Sequence, residues 1–266
     1  MLTDTHAHLA SRQFKTDAGE AVSRAAAAGV TRIITIGTDP EDSEAGLRLS
    51  EAHPGVEAAV GVHPTSAHEI TDPGWLEQIR ELAQHSRCVA LGEAGLDYFH
   101  PAPQGWTERD YRSRQVSFFQ AQLALAAELG KNIVIHQRDR QGEDCWRDIL
   151  RLMEPYHGRL RAVFHCWILP WAYAVPIIER GHLISFTGIA TYPKAPEVLA
   201  AAAAATEGSF MLETDSPFLP PAPRRGRRNE PAYTRLTAEA IAEARGMELA
   251  DLARVTSAAA ADFFRT

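Results

Sequence analysis

A chain of 266 residues, 45% hydrophobic and 23% charged, is long enough to bury roughly 70–75% of its unfolded surface, so it needs no disulfide framework. Its three cysteines, Cys88, Cys145 and Cys166, lack C-x-x-C spacing and read as small buried hydrophobes of a reducing compartment, with a cytoplasmic address expected. A net charge of −7 argues against a broadly basic nucleic-acid coat, and no leader pattern or membrane-length apolar run is seen, so no membrane partner is expected.

The chain begins with Thr3-Asp4-Thr5-His6-Ala7-His8, a short extended run whose two imidazoles, one residue apart, point to the same side of a strand. An alanine-rich helix over 16–28 closes at Gly29, and 31–36 reads as a strand ending at Gly37. Helix 41–53 stops at Pro54, strand 56–62 runs into His63-Pro64, and helix 75–85 leads to strand 88–91, which ends at Gly92-Glu93. A long helix over 110–129 places Val116, Phe119, Leu123 and Ala126 on one stripe. Strand 132–135 then ends in His136, helix 143–153 follows, and strand 161–164 runs into His165. A helix over 171–179 contains Pro176, which predicts a kink or a late start. Strand 183–186, helix 196–205, strand 210–212 leading to Glu213-Thr214-Asp215, and helices over 233–244 and 248–264 complete the pattern.

These strand-then-helix units number eight, and their strands are continuous apolar runs, as in parallel sheets buried on both faces. The expected fold is α/β, one (β/α)8 TIM barrel over residues 1–266, with an open doubly wound sheet as the rival. The only loop-rich stretch, 217–231 with five prolines, follows the last strand.

In such a barrel the active site lies at the C-terminal ends of the strands. His6 and His8 (first strand), Glu93 (fourth), His136 (fifth), His165 (sixth) and Asp215 (eighth) all fall there. Any one alone reads as a helix cap, a satisfied core histidine or a loop carboxylate. Together they exceed the three or so protein ligands of a catalytic zinc and suit two divalent ions about 3.5–4 Å apart, bridged by one carboxylate. Glu93 is the candidate bridge, and the imidazole-rich set favours Zn, Mn, Co or Ni over an all-oxygen Mg site, with cellular availability deciding among Mg, Mn and Zn.

Around this rim, His63 contacts substrate or fixes a turn, and Arg138 is placed to neutralise a phosphate oxygen. Asp97 and Tyr98 line the groove or orient ligands. Arg224-Arg225-Gly226-Arg227-Arg228 with Asn229 follows the Asp215 strand end and reads as a phosphate clamp or a solvated loop. His53, His68, His85, His100, His157 and His182 carry no special spacing and read as structural.

The ordered motifs Asp4-Thr5-His6-Ala7-His8-Leu9, Gly61-Val62-His63-Pro64, Gly92-Glu93-Ala94-Gly95-Leu96-Asp97-Tyr98, His136-Gln137-Arg138, His165-Cys166, Glu213-Thr214-Asp215-Ser216-Pro217-Phe218-Leu219 and the arginine segment resemble the TatD family of metal-dependent deoxyribonucleases, within the amidohydrolase-like barrels. The resemblance implies that His6 and His8 hold one ion and His136 and His165 the other, with Glu93 bridging and Asp215 completing the site. It also implies a 3′ to 5′ exodeoxyribonuclease acting on DNA, as single strands or frayed ends, in repair or degradation. The chain departs from the family pattern at Trp167, Asp139 and Arg140, which puts the shape of the substrate groove in question.

The expected reaction is phosphodiester hydrolysis by water activated by two metals, with Glu93 and Asp215 as catalytic carboxylates and Asp215 also taking a proton. His63, Arg138, Arg227 and Asn229 are the expected substrate contacts. The alternatives are a binuclear amidohydrolase-type enzyme for a small amide, lactone or phosphotriester, and a non-catalytic metal-stabilised binding protein. Glu93 in place of a carboxylated lysine weakens the first, and an open rim weakens the second. No obligate protein partner is evident.

Overall fold

The computed structural model describes residues 1–265. Its strands are β1 (Leu2–Ala7), β2 (Val30–Ile36), β3 (Val56–Val60), β4 (Cys88–Asp97), β5 (Ile133–Arg138), β6 (Ala162–Phe164), β7 (Leu183–Phe186) and β8 (Phe210–Leu212). They are all parallel and neighbour one another in sequence order. The helices are α1 (Ala18–Ala27), α2 (Pro40–Ala52), α3 (Trp75–Ala83), α4 (Glu108–Leu129), α5 (Asp144–Met153), α6 (Trp171–Ile178), α7 (Pro196–Ala204), α8 (Thr234–Arg245) and α9 (Leu249–Phe263). This is the expected (β/α)8 TIM barrel.

Two apolar layers hold it. Alternate strand residues such as Ile34, Ile36, Val134, Val163 and Met211 fill the interior together with Phe263 and Phe264 from the end of α9. Asn132 Nδ2 donates to Phe263 O (2.5 Å) and Arg32 Nη2 to Phe264 O (2.8 Å), so α9 stoppers the end of the barrel where the strands start. The other strand residues pack outward against the helices. Burial on both faces is why the strands read as unbroken apolar runs.

The seam between β8 and β1 closes through polar contacts. Ala7 bridges Ser216 in parallel register, and Asp215 N donates to His6 O (2.8 Å) while His8 N donates to Ser216 O (2.7 Å). Buried Asp4 accepts from Thr214 N at Oδ1 (2.9 Å) and from Thr214 Oγ1 at Oδ2 (2.6 Å). These bonds put His6, His8 and Asp215 in one corner.

Several expectations change, among them the end of β5, which runs past His136 to Arg138, and of β3, which stops at Val60. β4 does not stop at Gly92-Glu93 but continues to Asp97, with a register irregularity between Leu91 and Ala94. α6 begins at Trp171 with Pro176 inside it, so of the two expected effects of the proline the late start does not occur. The buried face of α4 includes Gln115 and Gln122 beside Phe119, Leu123 and Ala126, and Val116 lies at its margin.

Candidate metal centre

Glu93 sits in the β4 irregularity and turns into the barrel mouth, where its backbone N–H donates to Gly37 O (3.1 Å) at the end of β2. Two glycines make this possible. Gly92 and Gly95 have φ of +125° and +146°, and a Cβ at either would run into the backbone carbonyl of Val134 or His136 on β5. The bulge thus brings β4 close to β5 while aiming the carboxylate inward.

Each Glu93 oxygen faces its own group of donors. Around Oε2 stand His6 Nε2 (3.3 Å) and His8 Nε2 (3.7 Å), and Asp215 Oδ1 lies 3.3 Å from His8 Nε2 and 3.8 Å from His6 Nε2. Donors about 2.0–2.1 Å from a tetrahedral ion stand about 3.3–3.4 Å apart, and His6 Nε2 lies 3.3 Å from His8 Nε2. Around Oε1 stand His165 Nε2 (2.7 Å), His136 Nδ1 (2.8 Å) and His63 Nε2 (3.5 Å). His136 Nδ1 is 3.3 Å from both His165 Nε2 and His63 Nε2. Buried and half-buried imidazole and carboxylate donors at this spacing fit divalent cations.

The far side of most imidazoles is anchored. His8 Nδ1 faces Ile36 O (3.1 Å), and His136 Nε2 faces Asp97 Oδ2 (3.0 Å), which leaves His8 Nε2 and His136 Nδ1 as the inward nitrogens. His165 Nδ1 lies 3.5 Å from Glu213 Oε1 without a hydrogen bond between them, while Glu213 accepts from Cys166 N and Ser185 Oγ, each at 2.6 Å. His63 Nδ1 accepts from Thr65 N (3.1 Å), so the neutral ring carries its proton on Nε2 and points a donor at the site. Gln115 accepts from Asp97 N (2.8 Å) and donates to Asp97 O (3.1 Å), and Gln122 does the same for Val62 (2.8 and 3.0 Å), next to His63. One helix face therefore grips two segments that carry site residues.

Charge is balanced within the cluster. Burial pushes the Glu93 carboxyl up, but the charges of His165, His63 and His6 overcome it and hold it well below the usual carboxylate range. Burial likewise opposes ionisation of Asp215, yet its bond with His8 and the charge of His6 keep it low. Burial disfavours charge on His8, and Asp215 and Glu93 reverse that, raising it to about 9. His165 is carried well above the ordinary histidine value against burial by Glu93 and Glu213, whereas burial and the His165 charge lower His6.

The remaining predicted residues divide. Arg138 ends β5, exposed, with its guanidinium 4.0 Å over the Phe99 ring. Arg227 is exposed on the loop after β8. Asn229 is not presented to the rim. It is buried, and its amide nitrogen donates to Thr214 O (2.9 Å) and Phe218 O (2.6 Å). Arg228 is likewise turned away, donating to both Asp17 oxygens (2.7 and 2.6 Å) and to Gln13 O (2.6 Å). Trp167 is buried against Trp146 rather than lining the groove, and Asp139 accepts from Cys145 N and Trp146 N at the start of α5. His100 Nδ1 reaches Asp97 Oδ2 (2.9 Å), tying one of the histidines read as structural to the site.

Sequence reasoning passed over the positioning roles of Asp4, Gln115, Gln122 and Glu213. The available signal for the glutamines was their seven-residue spacing on the apolar face of a helix.

Comparison with known proteins matches residues 3–265 to a family described as TatD related DNase. The chain is 35% identical over 265 residues to the metal-dependent hydrolase YabD of Bacillus subtilis (strain 168), covering 100% of this chain and 99% of that one. It is 32% identical to a protein named 3′-5′ ssDNA/RNA exonuclease TatD from Cronobacter sakazakii, covering 98% and 97%. The crystal structure of YjjV, a TatD homolog from Escherichia coli K12, superposes with a TM-score of 0.87 at 28% identity, covering 100% and 98%.

Proposed function

Because the chain belongs to the TatD related DNase family, whose members here are metal-dependent hydrolases, we propose that this ester-bond hydrolase cleaves DNA phosphodiesters as a 3′ to 5′ exonuclease. The substrate is a single strand or a frayed end. The observation that carries the reading is the division of Glu93: each of its oxygens faces a separate group of imidazoles, with Asp215 beside one of them. We assign His6, His8 and Asp215 to one divalent ion, His136 and His165 to a second, and Glu93 to both, with Mg, Mn or Zn as candidates. Bound there, two such ions supply Lewis acidity to the phosphoryl group and acidify an attacking water.

The protein's own groups do the rest. Asp215, ionised at neutral pH by its histidine neighbours, is the carboxylate placed to receive a proton as well as to hold an ion. His63 directs Nε2–H toward the Glu93 side of the site, where it can donate to a phosphoryl oxygen. Arg138 and Arg227, both exposed beside the rim, offer positive charge to the neighbouring phosphates. None of these contacts requires reading a base edge, so weak sequence preference is expected.

The test is release of mononucleotides from single-stranded DNA labelled at either end, with divalent metal, beside a panel of small amides, lactones and phosphotriesters. Metal-dependent release from the 3′ end that disappears in Glu93→Gln is the expected result. Turnover of the small esters or amides without any DNA cleavage would overturn the nuclease reading in favour of an amidohydrolase-type activity.

A further inference from the structure

Among the described residues, the exposed large apolar side chains besides Met1 are Phe99 (37% exposed), Ile168 (41%) and Phe218 (50%). All three lie on segments leaving the C-terminal ends of β4, β6 and β8, on the rim that carries the candidate metal centre. An aromatic ring left half in water forgoes the gain of burial. Two such rings and the aliphatic Ile168 on one rim, beside a charged centre, mark a ligand that brings flat apolar faces together with negative charge.

Both rings are held rather than loose. The Phe218 ring stands 6.0 Å from the His8 ring, edge-on. Its backbone N–H donates to Asp215 O (2.9 Å), and its carbonyl accepts from the buried Asn229 amide (2.6 Å). Phe99 N donates to Asp97 Oδ1 (3.0 Å), its carbonyl accepts from Arg140 Nε (3.2 Å), and Arg138 covers one face of the ring at 4.0 Å. Asp97 in turn touches His136. In the order of the strands, β8 and β4 lie on opposite sides of the barrel, so the two rings flank the donor groups.

We propose that Phe218 and the Phe99–Arg138 pair are base-stacking positions on either side of the metal centre. This rests on the nucleic-acid reading above. A duplex keeps its base faces inside the stack and offers these rings nothing, while a single strand or frayed end offers them freely. Arg138 adds a flat cationic face for a base and hydrogen-bond donors for the adjoining phosphate.

Anisotropy of a short fluorescent oligothymidylate on the holoenzyme, with phosphorothioate linkages to block cleavage, tests this against an abasic strand of equal length and charge. Wild type binds the oligothymidylate about 5-fold or more tightly than the abasic strand, the scale of one stacked base. Phe218→Ala and Phe99→Ala each lose about 5-fold or more on oligothymidylate and nothing on the abasic strand. Phe218→Leu, which keeps apolar bulk without a ring, loses as much, and Phe218→Tyr restores binding. Equal wild-type affinity for the two strands, or losses in the variants that are equal on both, overturns stacking and leaves the nucleic-acid reading standing. Absence of binding to either strand overturns both.

Discussion

Asn229→Ala separates a structural clamp from a substrate contact. The side chain is buried, donates to Thr214 O and Phe218 O, and accepts at Oδ1 from Glu230 N (3.0 Å). Truncation leaves the buried Thr214 carbonyl without that donor and the partly exposed Phe218 carbonyl to water. A buried unsatisfied group costs about 1–3 kcal/mol, and that is the expected loss. The turn it ties also holds Asp215 and Leu219 at φ of +55° and +52°, conformations that cost about 1–3 kcal/mol each and persist only when their surroundings enforce them. Freed from the clamp, Asp215 relaxes away from His8, and metal affinity falls along with stability. Urea unfolding reads the first effect as a lower midpoint at unchanged slope, and isothermal titration with Mn or Zn reads the second. Stability within about 0.5 kcal/mol of wild type, the range of an ordinary surface change, with only KM raised, would refute the clamp and return Asn229 to the substrate.

Three further outcomes follow from the same geometry. Arg228→Ala costs no more than about 1 kcal/mol, because its partner Asp17, held down to about 2 chiefly by its bond with Arg228, is near the surface; it leaves the salt dependence of DNA binding unchanged, while Arg138→Ala lowers the slope by about 1. An equal change of slope in Arg228→Ala would return that arginine to the substrate. Metal binding after chelation releases protons and tightens as pH rises, since His8, raised from 6.5 to about 9, surrenders its proton to the ion. The corresponding stabilisation of the stripped protein is complete below pH 6.5 and lost as pH rises through about 9, and calorimetry in buffers of different ionisation enthalpy counts the protons; zero release refutes it. His182, lowered to about 4 by burial and by the charges of His157 and Arg180, accepts from Ala162 N at Nδ1 (3.2 Å) and must stay neutral. Its contribution is present above pH 6.5 and lost as pH falls toward 4, at most about 3 kcal/mol, and His182→Phe should flatten that limb of the pH–stability curve.

The barrel was legible because parallel strands buried on both faces have a local signature, and the rim positions of five of the six candidate ligand side chains were legible because each stands within or just beyond a clearly apolar strand. Glu93 was recognised as a ligand type but misplaced at a strand end. Gly92 and Gly95, which ordinarily punctuate a strand, here permit the close approach that lets β4 continue to Asp97. The contacts that were not legible join distant parts of the chain. Asp4 meets Thr214 across 210 positions and Arg228 meets Asp17 across 211. Periodicity carries no trace of such pairings, so four arginines in five residues read as one clamp although Arg228 is tied to Asp17 and Arg227 stays exposed.

The carboxylates around the histidines explain why this site is suited to cations rather than to a neutral ligand. Glu93 and Asp215 face inward, while Asp97 and Glu213 lie behind His136 and His165. Buried acids at this density are tolerated only when positive charge stands among them. In the stripped protein protons on His8, His136 and His165 supply it, and this is why all three are raised despite burial, which alone would lower them. A divalent ion held as proposed would replace protons on the same nitrogens with more charge at shorter range. Protonation and metal loading would then be alternative answers to one electrostatic demand, and the affinity of the proposed site for a divalent ion is expected to fall as pH is lowered.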